Sequence, residues 1–246
     1  MPEPVTAIVL AGGQGTRLRS VVPDLPKPMA SVAGRPFLEI LLDYWIAQGV
    51  SRFILSVGYR REAIMDHFGS AYRGIPIAYA IEEQPLGTGG GLLIAIRQLL
   101  DDAKNVLLLN GDTFFAVALK ELIAYAENQH SAWCLALFPT SHTERYMGVE
   151  RDAQGRLLGL GRKADGGTVL ANGGVYWLAT KNLAQLGLET GQEYSLEADI
   201  LPKALAAAQR IVGMPAEGTF IDIGIPDDYQ RAQTLLSKAA SANEFN

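Results

Sequence analysis

Cysteine is almost absent from this 246-residue chain, which contains a single thiol, that of Cys134. An intrachain disulfide is therefore excluded, and the apolar run of residues 132–137 predicts a buried structural thiol rather than a nucleophile. Long apolar runs are also missing, since none approaches the roughly 20 residues that a transmembrane helix needs. Residues 1–4 have neither the positive charge nor the apolar stretch of a secretion signal. We therefore expect a cytoplasmic protein that does not associate with a membrane.

The chain also lacks an excess of basic residues. The chain has 21 lysines and arginines against 26 aspartates and glutamates, which gives a formal net charge of −5. A surface that binds nucleic acid is usually rich in basic residues, so we expect no nucleic-acid partner. The chain has only 3 histidines, and none of them lies near the motifs described below. A small anionic ligand remains compatible with this composition, because a few local cations are enough to bind one.

Glycine, by contrast, is concentrated directly after the first apolar run. Residues 10–18 read Leu-Ala-Gly-Gly-Gln-Gly-Thr-Arg-Leu, and Lys27 follows within Leu-Pro-Lys-Pro-Met. Glycines let backbone N–H groups approach phosphate oxygens, and Arg17 and Lys27 supply positive charge. The string is neither a P-loop nor a dinucleotide fingerprint, since Leu18 stands where the third glycine of the fingerprint belongs. A tight glycine turn is the alternative, but the two cations favour a phosphate-binding loop.

Short apolar runs alternate with amphipathic stretches in the first half of the chain. The predicted strands of this half are 6–10, 52–57, 75–81 and 106–109, and its predicted helices are 36–48, 61–68 and 91–100. This alternation predicts a parallel, doubly wound sheet whose ligands bind at the carboxyl ends of the strands. The second half is less regular, with predicted helices at 119–128, 180–186, 196–208 and 226–237 and predicted strands at 132–138, 149–152, 157–160, 169–178 and 211–214. Since no composition break marks a linker, we expect residues 1–246 to form one domain.

Two aspartates have sequence surroundings that suggest a metal site. Asp112 follows the predicted strand 106–109, and Asp222 lies among the apolar residues of 220–226. Carboxylates at strand ends suit Mg²⁺, although a turn or a helix cap is the alternative for Asp112 and a helix cap is the alternative for Asp222. Two carboxylates beside a phosphate loop suggest metal-assisted transfer at phosphorus. A phosphate monoester could be the nucleophile without a protein base, because its second pKa is about 6.

Five motifs occur in an order that resembles the signature of the sugar-1-phosphate nucleotidylyltransferases. They are Leu-Ala-Gly-Gly-Gln-Gly-Thr-Arg-Leu at 10–18 with Pro-Lys-Pro at 26–28, Pro-Leu-Gly-Thr-Gly-Gly at 85–90, Asn-Gly-Asp at 110–112, Asn-Gly-Gly-Val-Tyr at 172–176 and Phe-Ile-Asp-Ile-Gly at 220–224. The resemblance covers essentially the whole chain. It implies an α/β, Rossmann-like nucleotidyltransferase fold with a mixed central sheet flanked by helices. It also implies that residues 1–115 mainly bind the nucleotide and residues 116–238 mainly bind the sugar.

The resemblance also implies a reaction and a set of site residues. A sugar 1-phosphate attacks the α-phosphorus of a nucleoside triphosphate, while Arg17 and Lys27 stabilise charge and Asp112 and Asp222 hold Mg²⁺. Lys163 is expected at the sugar phosphate. The remaining residues that it places on the two substrates are Leu10, Gly12, Gly13, Gly15, Thr16, Glu82, Gly87, Thr88, Gly111, Asn172, Gly173 and Glu197. These two substrates are the predicted partners, and a homodimer is left open.

Within the family, residues 110–115, 172–174 and 220–229 look most like the enzymes that guanylylate a heptose 1-phosphate. GTP also follows from Glu82, because one carboxylate can accept from both N1–H and N2–H₂ of guanine, whereas uracil and thymine present carbonyl oxygens that a carboxylate repels. The alternative for Glu82 is a solvated loop acid. Arg162-Lys163 departs from the Glu-Lys of the family and leaves the sugar open. Mannose 1-phosphate with GTP, N-acetylmuramate 1-phosphate with UTP, and a non-catalytic nucleotide-sugar sensor are the other interpretations.

Overall fold

A computed structural model describes residues 4–99, 103–142, 144–146, 148–162 and 168–241 of the chain. Its strands are β1 Val5–Ala11, β2 Ser31–Val32, β3 Arg35–Pro36, β4 Val50–Val57, β5 Ala71–Tyr72, β6 Ile75–Ile81, β7 Asn105–Asn110, β8 Thr113–Phe115, β9 Trp133–Thr140, β10 Gly148–Arg151, β11 Leu157–Arg162, β12 Val169–Ala179, β13 Ile211–Pro215 and β14 Phe220–Asp222. Its α-helices are α1 Phe37–Ala47, α2 Arg61–Phe68, α3 Gly87–Ala95, α4 Leu119–Asn128, α5 Thr180–Ala184, α6 Leu201–Ala206 and α7 Pro226–Ser241. None of the helices in the described part of the chain combines the length and the hydropathy of a membrane-spanning segment.

Ten of the strands form one mixed sheet in the order β11-β10-β12-β7-β1-β4-β6-β5, with β9 beside β12 and β13 beside β9. Strands β7, β1, β4 and β6 run parallel to one another, as the alternation in the first half predicts. Strand β12 pairs antiparallel with β7 and joins the second half of the chain to the first. The predicted mixed sheet is therefore confirmed, whereas the assignment of the two halves to nucleotide and sugar stays a prediction.

The core lies on both faces of this sheet, because successive side chains of a strand point to opposite sides. Ala7 and Val9 pack in the cluster that contains helices α1, α2, α4 and α7. Ile8 packs in the cluster that contains α3, α5 and α6. Cys134 is buried in the first cluster, and burial raises the pKa of its thiol to about 12. The prediction of a structural thiol is thus confirmed.

Several elements differ from the sequence prediction. The predicted helix 196–208 consists of a π-helical turn at Leu196–Ile200 followed by α6, and α5 ends at Ala184 rather than at 186. Helix α3 begins at Gly87 rather than at 91, because the N–H groups of Gly89 and Gly90 donate to the carbonyl of Tyr194 and tether the first turn. The α-helix ends at Ala95, where a 3₁₀ turn follows, and residue 100 lies outside the described residues. Pro36, predicted in the first turn of α1, instead lies in β3 just before that helix.

A further difference is a small sheet that the sequence pattern does not predict. Strands β8 and β14 pair antiparallel, with Thr113 opposite Asp222. Phe115 and Phe220 make an edge-to-face contact with ring centroids 5.7 Å apart, which stabilises the pairing. This small sheet brings Asp222 beside Asp112, although the two residues are far apart in the chain.

Candidate active site

A cavity of about 400 Å³ opens at the carboxyl ends of β1, β6 and β7. It is lined by Leu10, Ala11, Gly12, Gly13, Gln14, Gly15, Thr16, Arg17, Lys27, Pro28, Glu82, Pro85, Gly87, Thr88, Asn110, Asp112, Glu193 and Gly224. Ligands of α/β sheets bind at such strand ends. The structure therefore brings the glycine loop (residues 12–17, with Arg17), Lys27, Asp112 and Glu82 together around one cavity.

The glycine loop surrounds one side of the cavity and uses its glycines for two different reasons. Gly15 adopts a left-handed conformation with φ +57°, which side chains disfavour. Gly12 lies directly against Glu82, so that a Cβ atom at this position would overlap Oε1 of the carboxylate. The loop then enters a short 3₁₀ turn at Thr16–Leu18, where Arg17 is exposed and lines the cavity. The chain thus presents a bare backbone and one guanidinium to the cavity.

Lys27 lies between the two predicted metal-binding aspartates. Its ammonium Nζ is 2.5 Å from Oδ2 of Asp112 and 3.5 Å from Oδ1 of Asp222, and the lysine is only 9% exposed. Burial raises the pKa of Asp112, but the charge of Lys27 and the hydrogen bonds from Lys27 and Thr113 outweigh burial and hold this pKa below its usual value. Burial and the charge of Asp112 raise the pKa of Asp222. Lys27 therefore stabilises the negative charge of Asp112 more than it stabilises that of Asp222.

Glu82 lies at the floor of the cavity as a buried carboxylate, not as the solvated loop acid that was the alternative. Its Oε1 accepts from the hydroxyl of Ser56 at 2.9 Å, and its Oε2 accepts from the N–H of Leu86 at 3.3 Å. Burial raises the pKa of Glu82, and these two hydrogen bonds offset only part of that effect. No cation pairs with Glu82 among the described residues. Each oxygen keeps a lone pair, so the carboxylate can still accept from a ligand.

The predicted sugar-side residues form a network around a buried tyrosine. The hydroxyl of Tyr176 donates to Oε1 of Glu197 at 3.0 Å and accepts from Nδ2 of Asn172 at 2.6 Å. Thr88 donates to Oε2 of Glu197 at 3.3 Å, which links this network to the cavity. Burial and the charge of Glu197 raise the pKa of Tyr176 well above its usual value, so the hydroxyl keeps its proton.

Some predicted site residues do not line the cavity. Asn172 and Glu197 adjoin it through the tyrosine network, and Asp222 adjoins it through Lys27. Gly173 packs against Phe115 and the carbonyl of Ala136. Gly111 lies at the turn after β7, where its N–H donates to the carbonyl of Leu10. Lys163 lies outside the described residues.

Comparison with known proteins decides the family. A protein-family model described as nucleotidyl transferase matches residues 6–239 of the chain. The chain belongs to the nucleotidyl transferase family. The family membership that the sequence motifs predict is thereby confirmed.

This nucleotidyl transferase is similar to two curated proteins along almost its whole length. It is 40% identical over 230 residues to a D-glycero-alpha-D-manno-heptose 1-phosphate guanylyltransferase of Aneurinibacillus thermoaerophilus, with 94% of this chain and 97% of that protein covered. It is 39% identical over 226 residues to a protein of the same name from Campylobacter jejuni, with 91% and 96% covered. The crystal structure of HddC from Yersinia pseudotuberculosis complexed with GMP-PN superposes with a TM-score of 0.81 at 32% identity, covering 94% of this chain and 99% of that one. The predicted Rossmann-like nucleotidyltransferase fold is confirmed.

The nucleotidyl transferase family generally uses a divalent metal ion, and the residues of this chain fit one. Asp112 and Asp222 both approach Nζ of Lys27, so their oxygens converge on one point that already holds a positive charge. Mg²⁺ sites commonly combine one or two carboxylates with substrate phosphates and water. No cluster of three or more metal-binding side chains occurs in the part of the chain that the structure describes, so such an ion would also need substrate oxygens.

Arg145 and Asp228 of this nucleotidyl transferase support Asp222 from outside the cavity, and no sequence motif predicts them. Nη2 of Arg145 lies 3.4 Å from the carbonyl oxygen and 3.9 Å from Oδ2 of Asp222, while Nη1 pairs with the buried Asp228. Asp228 also accepts from Arg231 at 2.5 Å. The sequence marks Asp228 only as an acid in the first turn of α7, and Arg145 lies in an irregular segment without a motif. Only the tertiary structure shows that Arg145 holds the backbone of Asp222.

Proposed function

We propose that this protein is a guanylyltransferase that joins GTP to D-glycero-α-D-manno-heptose 1-phosphate and releases pyrophosphate. The observation that supports this most is the single cavity in which a glycine loop, the Lys27–Asp112 ion pair and the buried Glu82 meet. The names of the two relatives at 40% and 39% identity supply the substrate pair. The proposal includes Mg²⁺ as the metal, and it treats residues 1–115 and 116–238 as the nucleotide and sugar halves of one domain.

The proposed reaction needs charge neutralisation more than proton transfer. A phosphate oxygen of the sugar 1-phosphate attacks the α-phosphorus of GTP and forms a new P–O bond. The bond from that phosphorus to the bridging oxygen breaks, and its electron pair leaves with pyrophosphate. The nucleophile is largely a dianion at neutral pH, because the second pKa of a phosphate monoester is about 6. In keeping with this, none of the three histidines lines the described cavity.

Three groups of this chain would act on the phosphates. The backbone N–H groups of residues 12–17 bind the triphosphate, and Arg17 binds two of its oxygens through the guanidinium fork. Lys27, held by Asp112, faces the reacting phosphorus with a fixed positive charge. Asp112 and Asp222 would hold Mg²⁺, and the chemistry that the ion would supply there is Lewis-acid stabilisation of negative charge on the phosphate oxygens.

We expect Arg17 to act mainly on the transition state. Arg17→Ala should lower kcat by about 30-fold or more, because the guanidinium meets charge that develops on the leaving pyrophosphate. The Kd for GTP, measured by calorimetry, should rise much less than kcat falls. Arg19→Ala removes the same charge from an arginine that does not line the cavity, and it serves as the control. If GTP binding weakens while turnover at saturation is unchanged, Arg17 is only an anchor.

The proposed base reader is Glu82, whose carboxylate can accept from both guanine donors. Glu82→Gln should lower the ratio of kcat/KM for GTP over UTP by about 1–3 kcal/mol, roughly 5- to 150-fold, because an amide turns one acceptor into a donor. Both ratios are measured with one sugar phosphate. The matched control is Glu83→Gln, since Glu83 is 78% exposed and pairs with Arg61. An unchanged ratio in Glu82→Gln would show that Glu82 does not read the base.

On the sugar side, we propose that Asn172, Gly173 and Glu197 contact hydroxyl groups. The proposal is supported by the network around Tyr176, which orients the amide of Asn172 and the carboxylate of Glu197 beside Thr88 of the cavity. The proposed contact between Lys163 and the sugar phosphate is supported by the family resemblance alone.

A matrix of substrates tests the proposed function. Pyrophosphate release is measured with GTP, UTP and dTTP, each combined with heptose 1-phosphate, mannose 1-phosphate or N-acetylmuramate 1-phosphate. GTP with heptose 1-phosphate should give the highest kcat/KM. A preference for UTP with N-acetylmuramate 1-phosphate would replace the substrate assignment. Absence of pyrophosphate from every pair would favour a nucleotide-sugar sensor.

A further inference from the structure

A second cavity lies at the opposite end of the sheet from the candidate active site. It has a volume of about 790 Å³, and its lining includes Lys104 and Asn105 at the start of β7 and Ala179 at the end of β12. Asn110, at the other end of β7, lines the active-site cavity and is about 17 Å from Asn105 along the strand. A cavity of this size is in the range of small-molecule sites. The proposed guanylyl transfer leaves it unused.

We call this space the basic cavity, because the charged side chains that line it are cations. Lys104, Lys181 and Arg210 line it together with the imidazole of His130, and all four residues are exposed. No aspartate or glutamate is among the described residues of the lining. Within the described part of the chain, none of the three cations takes part in an ion pair, although Arg210 donates to the amide oxygen of Gln129 at 2.7 Å. The charge of this cavity is therefore opposite to the formal net charge of −5 of the whole chain.

Hydrogen bonds fix the backbone segments that carry these cations to one another. The N–H of Thr180 donates to the carbonyl of Lys104 at 3.0 Å, which joins the segments of the two lysines. Gln209, directly before Arg210, is only 8% exposed, and its Nε2 donates to the carbonyl of Asn182 at 2.6 Å. The three cations are thus held around one space, and a cleft with charges of one sign attracts a ligand of the opposite sign.

Helix stabilisation explains only part of this arrangement. Helix α4 ends at Asn128 and α6 ends at Ala206, and a cation such as Arg210 is favourable near a helix C-terminus. Lys181, however, lies in the first turn of α5, where the helix dipole disfavours a cation, and Lys104 lies before a strand. The helix dipoles therefore do not account for the two lysines, whereas a bound anion does.

We propose that the basic cavity binds a small molecule with two or more phosphate groups, either a sugar bisphosphate or inorganic pyrophosphate. The cations can share the phosphate groups, and the amides of Asn105, Asn182 and Gln185 in the lining offer donors and acceptors to hydroxyl groups. No phenylalanine, tyrosine or tryptophan is among the described residues of the lining, so the cavity offers a nucleotide base no such ring for stacking. The inference does not depend on the proposed function, because the two cavities lie at opposite ends of the sheet.

The test is a titration of the full chain followed by two-dimensional ¹H–¹⁵N NMR. Fructose 1,6-bisphosphate and inorganic pyrophosphate are the probes, in separate titrations. The backbone amide signals of Lys104, Asn105, Lys181 and Asn182 should shift and reach saturation, whereas the signals of residues 12–17 report binding at the active-site cavity separately. The probe with the lower Kd at the basic cavity identifies which of the two kinds of ligand it takes.

A double variant, Lys104→Gln with Lys181→Gln, should raise the Kd at the basic cavity by at least about tenfold, because charge-assisted hydrogen bonds to phosphate are lost. Its Tm should stay at the wild-type value, since both lysines are exposed. Each single variant is titrated as well, so that the result does not depend on one protein. The matched control is Lys120→Gln with Lys203→Gln, which removes the same charge from exposed lysines outside the cavity and should keep the wild-type Kd.

Three results would overturn the inference. If the signals of the basic cavity do not shift with either probe, the cations are neutralised by carboxylates of the chain itself. An equal rise of Kd in both double variants would show that the probes respond to overall charge and not to this cavity. Tighter binding of hexaglutamate than of both phosphate compounds would assign the cavity to an acidic protein segment instead.

Discussion

Replacing either Asp112 or Asp222 with asparagine should lower kcat/KM for pyrophosphate release by at least about 2–3 kcal/mol, roughly 30- to 150-fold. Both carboxylates converge on the point where Lys27 lies, so each is expected to supply one oxygen to the metal. The rates are measured at limiting and at saturating Mg²⁺. Asp66→Asn on the exposed side of α2 is the matched control.

The same two variants should differ in their effect on stability. The pKa of Asp112 is held below its usual value, so its ionised form stabilises the folded state above its unfolded pKa, and this stabilisation is lost as pH falls through the folded pKa. Asp112→Asn should therefore lower Tm at neutral pH. The pKa of Asp222 is raised, so its charge opposes folding at neutral pH, and Asp222→Asn should leave Tm unchanged or raise it in chelator. Near-normal turnover by a folded Asp222→Asn variant at limiting Mg²⁺ would contradict the two-ligand assignment.

Lys27→Met should remove a buried cation from between two carboxylates and lower kcat by about 100-fold, since a charge aimed at the reacting phosphates is lost. In chelator, the variant should also lose about 1–3 kcal/mol of unfolding free energy, because Asp112 and Asp222 then face each other without Lys27. Millimolar Mg²⁺ should raise the Tm of Lys27→Met more than that of wild type, because the metal no longer competes with the ammonium.

Lys120→Met, on the exposed face of α4, is the control for the Lys27 variant. It should show wild-type turnover and the wild-type response of Tm to Mg²⁺. An equal response to Mg²⁺ in Lys27→Met and wild type would show that the metal does not bind where Lys27 lies. That outcome would remove the structural argument for the ligand pair.

The first half of the site could be predicted because its signals are local. Residues 10–18 combine a strand end, glycines and a cation within one loop, and parallel strands bring residues 12–17, 82 and 112 to the same sheet edge. The structure confirms that these residues share a cavity, whereas their roles in binding and catalysis stay predictions.

The rest of the site depends on contacts between distant segments. Strands β8 and β14 have three residues each, which is too short for a reliable alternation pattern, yet they bring Asp222 to Asp112. The Arg145–Asp228 ion pair joins an irregular segment to α7, and no hydrophobic periodicity in the sequence predicts this contact.

The most direct test of the proposed guanylyl transfer is a ³¹P NMR spectrum of the products. The purified protein is incubated with GTP, heptose 1-phosphate and Mg²⁺, and a matched sample contains Asp222→Asn. We expect the signals of GTP and the monoester to be replaced by equal amounts of pyrophosphate and a guanosine diphosphate sugar, with little conversion in the variant. Orthophosphate with GDP, or no new signal from a folded wild-type protein, would contradict it.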